Sequence, residues 1–275
     1  MARESVGAMK RFLSLGAGVQ SSTLALMIAH GELEPVDAAI FADTQWEPRK
    51  VYEWLDWLDA EIQRCPHPFP VHRVTKGSLR QDTINRKDGG RVAAVPWHVK
   101  MPNGDRAMAM RQCTVEYKVS PITKKARELI GLVPRQRAKG VLCEMLIGIS
   151  TDEAMRMKPA QEAWKVHRWP LIEKNMNRND CLRWMERKGY PLPPKSSCIG
   201  CPYHNDHEWR LVKADPVSWA DALEVDKAIR HQPKILGQQF MHRSCKPLNE
   251  VDLSTAADHG QVDMFNNECE GMCGV

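Results

Sequence analysis

The residues of this 275-residue chain best suited to chemistry are its cysteines, nine in all. Two stand close together, Cys198 and Cys201 in SSCIGCPYH, with Gly200 and Pro202 completing a tight turn. A C-x-x-C turn sets two thiolates side by side, the donor arrangement that zinc and iron–sulfur centres both use. Thiolate is a soft ligand and suits either one. There is no second C-x-x-C, so a four-cysteine zinc ribbon is not indicated and further ligands must come from distant positions. The odd count and wide scatter favour thiols, metal ligands or redox chemistry over a disulfide framework. His204 and His207 follow at short spacing and are alternative zinc ligands; beside an iron–sulfur centre they read as supporting or surface residues. Cys143 in VLCEMLIGIS and Cys181 in NDCLRWM read as core, where cysteines are common.

A second concentration of chemistry lies in FLSLGAGVQSSTLALMIAHG, residues 12–31. An apolar run gives way to small residues, then to hydroxyls, then to a second apolar run. Gly16, Ala17 and Gly18 allow backbone to approach a ligand without Cβ collisions. Ser21, Ser22 and Thr23 offer hydroxyls and are expected to cap the helix that follows. A helix N-terminus carries unpaired N–H groups and a partial positive charge, so the whole reads as a cradle for phosphate. The pattern is neither G-x-G-x-x-G nor G-x-x-x-x-G-K-[ST].

The elements that must position these residues follow from periodicity. Residues 11–15 read as a buried strand, 22–30 as a helix ended by Gly31, 36–44 as a second strand and 70–75 as a third. Between the last two, Val51, Trp54, Leu55, Leu58 and Ile62 form one apolar face of a helix over 47–63. This β-α-β-α-β order implies a parallel sheet. Ligands of such sheets bind outside the carboxyl ends of the strands, where the 16–22 turn falls. Residues 76–110 interrupt the rhythm with turn signals at Gly89-Gly90 and Asn103-Gly104, and read as an inserted hairpin and loop. Further on, 114–130 reads as helical with Pro121 a kink or restart, 143–150 as a strand and 178–188 as a helix. Residues 206–231 read as two helices broken at Pro216, and the chain from about 245 onward shows weak periodicity. The fold class expected is α/β, a Rossmann-like parallel sheet flanked by helices, with a mostly helical and irregular C-terminal part.

Composition adds bounds. Hydrophobic residues make up 43% and charged residues 27%, and the net charge of +5 permits an anionic ligand without requiring one. No run reaches the roughly 20 apolar residues of a membrane helix, and no secretory leader is evident; the expected location is cytoplasmic.

GAGVQSS (16–22) resembles the modified phosphate loop of the PP-loop, adenine nucleotide alpha hydrolase-like superfamily, and is closer to the loop of its phosphoadenosine phosphosulfate (PAPS) reductase branch. FADTQWEPRKVYEWL (41–55) is similar to that branch's second motif, a strand ending in Asp-Thr followed by an acidic residue. RQCTVEYKVSPI (111–122) resembles its Cys…Lys-Val-x-Pro segment. GISTDEAMR (148–156) loosely resembles a later glycine-led stretch, and residues 169–202 resemble its Pro-Leu, short-helix, C-x-x-C region. The five motifs are collinear over residues 11–202. The chain departs from the pattern at Gln20, where an aspartate is usual, and at Gln112-Cys113, where the reductases often have Cys-Cys.

The resemblance implies a nucleotide-binding α/β domain of the HUP type over 1–175, with the 76–110 insert, and a helical, cysteine-bearing part over 176–275 packed on it. Adenine-nucleotide contacts are implied for Ser14, Gly16, Ala17, Gly18, Val19, Gln20, Ser21, Ser22, Asp43, Thr44, Arg111 and Lys118, with magnesium a candidate. A [4Fe–4S] cluster is implied on Cys113, Cys198, Cys201 and Cys273, and a catalytic set of Cys269, Arg156 and Lys158. The roles of Cys269 and Cys273 are interchangeable at this level, and a three-cysteine cluster is a further alternative. The implied activity is iron–sulfur-dependent sulfur chemistry on ATP or PAPS. The first reading is sulfonucleotide reduction, with a thiol donor such as thioredoxin. The alternatives are ATP-dependent sulfur insertion into tRNA or DNA from a sulfur donor, and a non-catalytic nucleotide or nucleic-acid binding module with a structural metal. A basic insert (Lys76, Arg80, Arg86, Lys87, Arg91, Lys100, Arg106) is compatible with a nucleic-acid partner.

Overall fold

A computed structural model describes residues 9–84, 94–133, 135–232 and 235–254. The chain forms two compact units. The first comprises the described residues within Met1–Asp43, Arg49–Thr75 and Val119–Ser196; the second those within Thr44–Pro48, Lys76–Lys118 and Ser197–Val275. The sequence-expected boundary at 175/176 falls inside the first unit.

The first unit is built on five parallel strands: β1 (Lys10–Leu15), β2 (Ala38–Asp43), β3 (Val71–Thr75), β6 (Cys143–Ile147) and β7 (Lys165–Arg168), in the order β3-β2-β1-β6-β7. Strand β1 lies centrally, with Ser14 opposite Ile40 on one side and Ile147 on the other. Strand β2 is buried along nearly its whole length, as a central parallel strand covered on both faces must be. Helices α1 (Val19–Ala29), α2 (Arg49–Arg64), α4 (Ser120–Leu129), the short α5 (Pro170–Glu173) and α6 (Arg178–Arg187) flank the sheet. The five residues buried on α2 are the five that the spacing singles out: Val51, Trp54, Leu55, Leu58 and Ile62. Trp54 Nε1 also donates to Ser22 Oγ at 3.0 Å, fastening α2 to α1. All eleven residues of α1 are buried, the pattern of a helix enclosed on every side. Helix α6 starts with a reciprocal capping box, the Asn177 side chain accepting from Asp180 N–H and the Asp180 carboxylate from Asn177 N–H. Cys143 and Cys181 are fully buried, as expected of core thiols.

The second unit holds a small antiparallel sheet, β4 (His98–Lys100), β5 (Arg106–Met108) and β8 (Gln238–Phe240), in the order β5-β4-β8. The expected hairpin forms across Asn103-Gly104; Gly89 and Gly90 lie outside the described residues. A short helix, α3 (Leu79–Ile84), occupies the start of the insert. Helices α7 (Asp206–Ala214) and α8 (Pro216–Ile229) divide at Pro216, as expected from the fixed φ of proline and its fitness for a first helical turn. Trp46, Trp97, Trp209, Tyr117 and Met241 belong to this unit's core.

The 114–130 helix is divided as well: a π-helical turn over Val115–Val119 precedes α4, which has Pro121 in its first turn. Strands β7 and β8 and helix α5 have only 4, 3 and 4 residues and carry no readable periodicity.

Gly148, just beyond β6, sits against the start of α1. A Cβ there would lie 2.9 Å from both the Cα and N of Ser21, and 3.2 Å from the Gln20 carbonyl carbon. Those are backbone atoms inside a buried helix, so relief requires moving α1 or β6. Gly148→Ala is expected to lower unfolding stability by about 1–3 kcal/mol, the usual cost of overpacking, read as a reduced urea midpoint. An unchanged midpoint would show that the contact relaxes freely.

Candidate functional site

In the first unit, the turn after β1 turns on a backbone choice. Ala17 is fully buried and adopts φ 58°, a left-handed conformation that costs a non-glycine residue about 1 kcal/mol or more. Gly18 then serves as N-cap of α1, and the helix begins at Val19. The expectation that Ser21, Ser22 and Thr23 cap this helix is corrected: all three lie inside it. The helix starts early because Val19 is a core residue, 3% exposed. Ser21 Oγ instead accepts the Gly16 N–H at 3.1 Å and donates to the Gly18 carbonyl at 3.3 Å, bracing the turn internally. The Gly16 carbonyl accepts from Ser196 Oγ. No side chain caps α1, and no acidic residue lies in its first turn. Its N-terminus therefore keeps its positive dipole end uncompensated by side chains, the electrostatic condition for holding an anion.

Gln20 is held by the protein itself. Its Nε2 donates to Ser150 Oγ at 3.3 Å and to Glu153 Oε2 at 3.2 Å, and its Oε1 accepts from Arg178 Nη1 at 3.4 Å. An aspartate here would set a second carboxylate beside Glu153. Gln20 thus suits its neighbours at 150 and 153. Arg156 is ion-paired with Glu153, and Lys158 is exposed, its carbonyl oxygen 2.9 Å from His167 Nδ1. Asp43 accepts from Tyr52 Oη at 2.8 Å.

The second unit contains a pocket lined by Cys113, Cys198 and Cys201, and also by Thr44, Arg111, Thr114 and Lys118. Trp46, Leu79, Val95, Pro96, Pro202 and Tyr203 give it apolar walls. Six residues singled out by the sequence for ligand or metal contact therefore meet in one place. Cys113 is fixed from its backbone, its N–H donating to the Ala94 carbonyl at 3.0 Å. The π-helical turn that follows carries Lys118; such turns recur at functional sites. Arg111 donates from Nε and Nη2 to Thr114 Oγ1 at 3.2 and 2.9 Å, and its guanidinium lies 5.2 Å from the centre of the Tyr203 ring.

Glu47 is the residue that a reading confined to cysteines and bases misses. Its carboxylate, 1% exposed, lies 3.4 Å from Lys118 Nζ. Its Oε1 accepts from Thr44 Oγ1 at 3.1 Å and from Cys198 Sγ at 3.6 Å. The only signal for it in the sequence is the acidic position of the second motif.

The C-x-x-C turn is fixed from below. The Ile199 N–H donates to the Trp46 carbonyl at 2.8 Å, and the Cys201 N–H to the Cys198 carbonyl at 3.0 Å. Position 200 must be glycine: a Cβ there would fall 2.6 Å from Trp46 Cζ2 and 2.8 Å from Met241 Cε.

Three thiols around an apolar pocket are the donors an iron–sulfur cluster takes. Among the described residues, no three His, Cys, Asp or Glu side chains converge as on a single metal ion. A [4Fe–4S] cluster does not ask for that convergence, because each thiolate binds a different iron and the sulfurs surround a volume. His204 is not disposed as a zinc ligand: its Nε2 faces the carbonyls of Cys198 and Ile199, and its Nδ1 faces Glu208. Cys269 and Cys273 lie outside the described residues. Of the basic insert, Lys76 pairs with Glu116, and Arg80 with Asp221 and Glu224; Arg86, Lys87 and Arg91 lie outside the described residues. Among the described residues, no helix is long and apolar enough to cross a membrane.

No family model matches the chain, and no curated protein matches it. Among solved structures, it is similar to the U34-tRNA thiolase NcsA from Methanococcus maripaludis with its [4Fe–4S] cluster. That likeness has 13% identity, covers 90% of this chain and 82% of that one, and has a TM-score of 0.36. At that score it supplies no residue correspondences, and roles rest on this chain's own side chains.

Burial sorts the thiols. It pushes Cys181 up to about 12 and Cys143 up to about 11, so both stay protonated, and unreactive, at pH 8. Anaerobic iodoacetamide labelling of the metal-free chain at pH 8 should modify Cys113, Cys198 and Cys201 at least tenfold faster than Cys143 and Cys181, read by peptide mass spectrometry. Equal rates would contradict the assignment of the two buried thiols to the core.

Proposed function

We propose that this protein is an adenine-nucleotide-dependent enzyme of sulfur chemistry, and that its reaction is ATP-dependent sulfur insertion into a nucleic acid. The observation that carries the reading is the meeting of Cys113, Cys198 and Cys201 on one apolar-walled pocket. Cys113, Cys198 and Cys201 would hold an iron–sulfur cluster, with Cys273 or Cys269 as candidate for a fourth position. When bound, the cluster supplies a site for redox or sulfur-carrying chemistry.

The turn 16–22 would take the nucleotide phosphates, with backbone N–H groups at the start of α1 as donors and magnesium as counter-ion. Ser14, Asp43, Arg156 and Lys158 belong to this unit, and Arg156 acts through Glu153 rather than as a free cation. In the second unit, Arg111 and Lys118 provide positive charge at the pocket, and Thr44 a hydroxyl. Such groups bind an anionic substrate portion and hold it in register.

Insertion is preferred over reduction on two grounds. Gln20, the loop residue that links the chain to the reductase branch, has its amide engaged by Ser150, Glu153 and Arg178, so its identity says little about the nucleotide. The reductases' Cys-Cys pair is also replaced by Gln112-Cys113. In insertion, the acceptor oxygen would be adenylated by ATP with loss of pyrophosphate, and a sulfide-level sulfur from a donor would then displace that oxygen, which leaves as AMP.

The test uses the full chain reconstituted anaerobically with iron and sulfide. Equal iron and sulfide are expected, with release of pyrophosphate or AMP from ATP stimulated by bulk tRNA or DNA. Cys198→Ser should abolish the cluster and turnover while leaving nucleotide binding intact. Stoichiometric zinc without iron would overturn the cluster assignment. Sulfite release from PAPS or adenosine phosphosulfate with reduced thioredoxin, and no turnover of ATP, would establish the reductive alternative. Tight nucleotide binding without turnover of either would establish the binding-module alternative.

A further inference from the structure

A turn that offers two sulfurs to a pocket leaves its own carbonyls to be satisfied elsewhere, and buried carbonyls require donors. In this protein a single side chain meets two of them. His204 is buried, and its Nε2 lies 3.0 Å from the Cys198 carbonyl oxygen and 3.2 Å from that of Ile199. Both partners are acceptors only, so Nε2 carries the hydrogen and is shared between them. The other ring nitrogen faces Glu208, whose Oε2 is 3.2 Å from Nδ1. Glu208 is itself fixed as the N3 residue of the α7 capping box, accepting the Asn205 N–H at 2.9 Å. The indole of Trp209 meets the imidazole edge to face, with ring centres 5.0 Å apart. The ring is thus contacted on both nitrogens and by Trp209: helix α7 aims it, and it aims the turn.

We propose that His204 is the positioning residue of the C-x-x-C turn, transmitting the rigid start of α7 to the Cys198 and Cys201 thiols through the two carbonyls it binds. His98 assists from β4, its Nε2 3.0 Å from the Pro202 carbonyl oxygen. The proposal rests on the reading of Cys198 and Cys201 as the working thiols, but it concerns their placement and holds in the metal-free chain. His204 touches no reacting atom in this account.

The experiment compares His204→Leu, which removes the donor, with His204→Gln, whose amide N–H reaches a similar point. Full-length, metal-free, reduced protein is alkylated with iodoacetamide at fixed pH, and each cysteine is followed separately by peptide mass spectrometry. In His204→Leu, the rates at Cys198 and Cys201 should rise about tenfold, the factor that corresponds to roughly 1.4 kcal/mol, comparable with one lost buried hydrogen bond. The rate at Cys113, held by the Ala94 carbonyl, should stay within about twofold of wild type by the same reasoning on independent sites. His204→Gln should restore near-wild-type rates. A purely structural role would instead accelerate all thiols together, Cys143 and Cys181 included, and that result would overturn the proposal, as would unchanged rates at Cys198 and Cys201. Should His204→Leu fail to fold, Glu208→Ala frees the ring while leaving it present; acceleration confined to Cys198 and Cys201 again supports the proposal, and unchanged rates overturn it. Failure of the functional reading is seen separately, as a wild-type chain that takes up no iron and sulfide while the alkylation contrast persists.

Discussion

The second unit depends on one constraint, that the backbone of the C-x-x-C turn must be satisfied from beneath while Cys198 and Cys201 line the pocket. Local hydrogen bonds do part of this, from Cys201 N–H to the Cys198 carbonyl. The rest comes from Trp46, far away in the chain, and from His204, just before the following helix. Trp46 supplies a carbonyl to Ile199 and an indole ring whose Cζ2 would lie 2.6 Å from a Cβ at position 200. His204 supplies the donor, and the α7 capping box supplies the aim. Trp46 is tied in turn by its Nε1, which donates to Asp221 at 2.6 Å. A tight turn, a large ring and a capped helix are thus one assembly, and altering any of them reaches the thiols.

The first unit solves a different problem, the close approach of backbone to backbone at the end of a parallel sheet. Gly148 lets the chain beyond β6 pass the start of α1. Ala17 takes the left-handed conformation that turns the chain from β1 into α1, and Ser21 closes the turn on itself. The N-terminus of α1 is capped by no side chain. Of the polar side chains around the turn, Ser21 bonds within it and Gln20 to Ser150, Glu153 and Arg178.

Much of this architecture is legible in the sequence because hydrophobic spacing reports burial directly. The apolar face of α2, the three leading strands and the division at Pro216 fall where periodicity and proline chemistry put them. Short elements such as β7 and β8 are silent, since three or four residues hold no period. The start of α1 misleads for a definite reason: three successive hydroxyl residues suggest a cap, but the packing of Val19 draws the helix N-terminal of them. Gly148, Gln20 and Glu47 are silent for another reason, because their meaning lies in neighbours distant in sequence. The C-x-x-C pair advertises itself by spacing; that Cys113 joins it is suggested by the family resemblance alone, and spacing is mute on it.

Helix α1 is enclosed along its whole length. Every one of its residues is buried, and close-packed interiors yield little. A rod wedged on all sides has no direction in which to slide or tilt, so the turn at its head is an anvil and not a hinge. Were an anion to bind there, little reorganisation of the helix would be spent on receiving it. Whatever movement accompanies a working cycle has to be sought in parts of the chain less tightly clasped than this one.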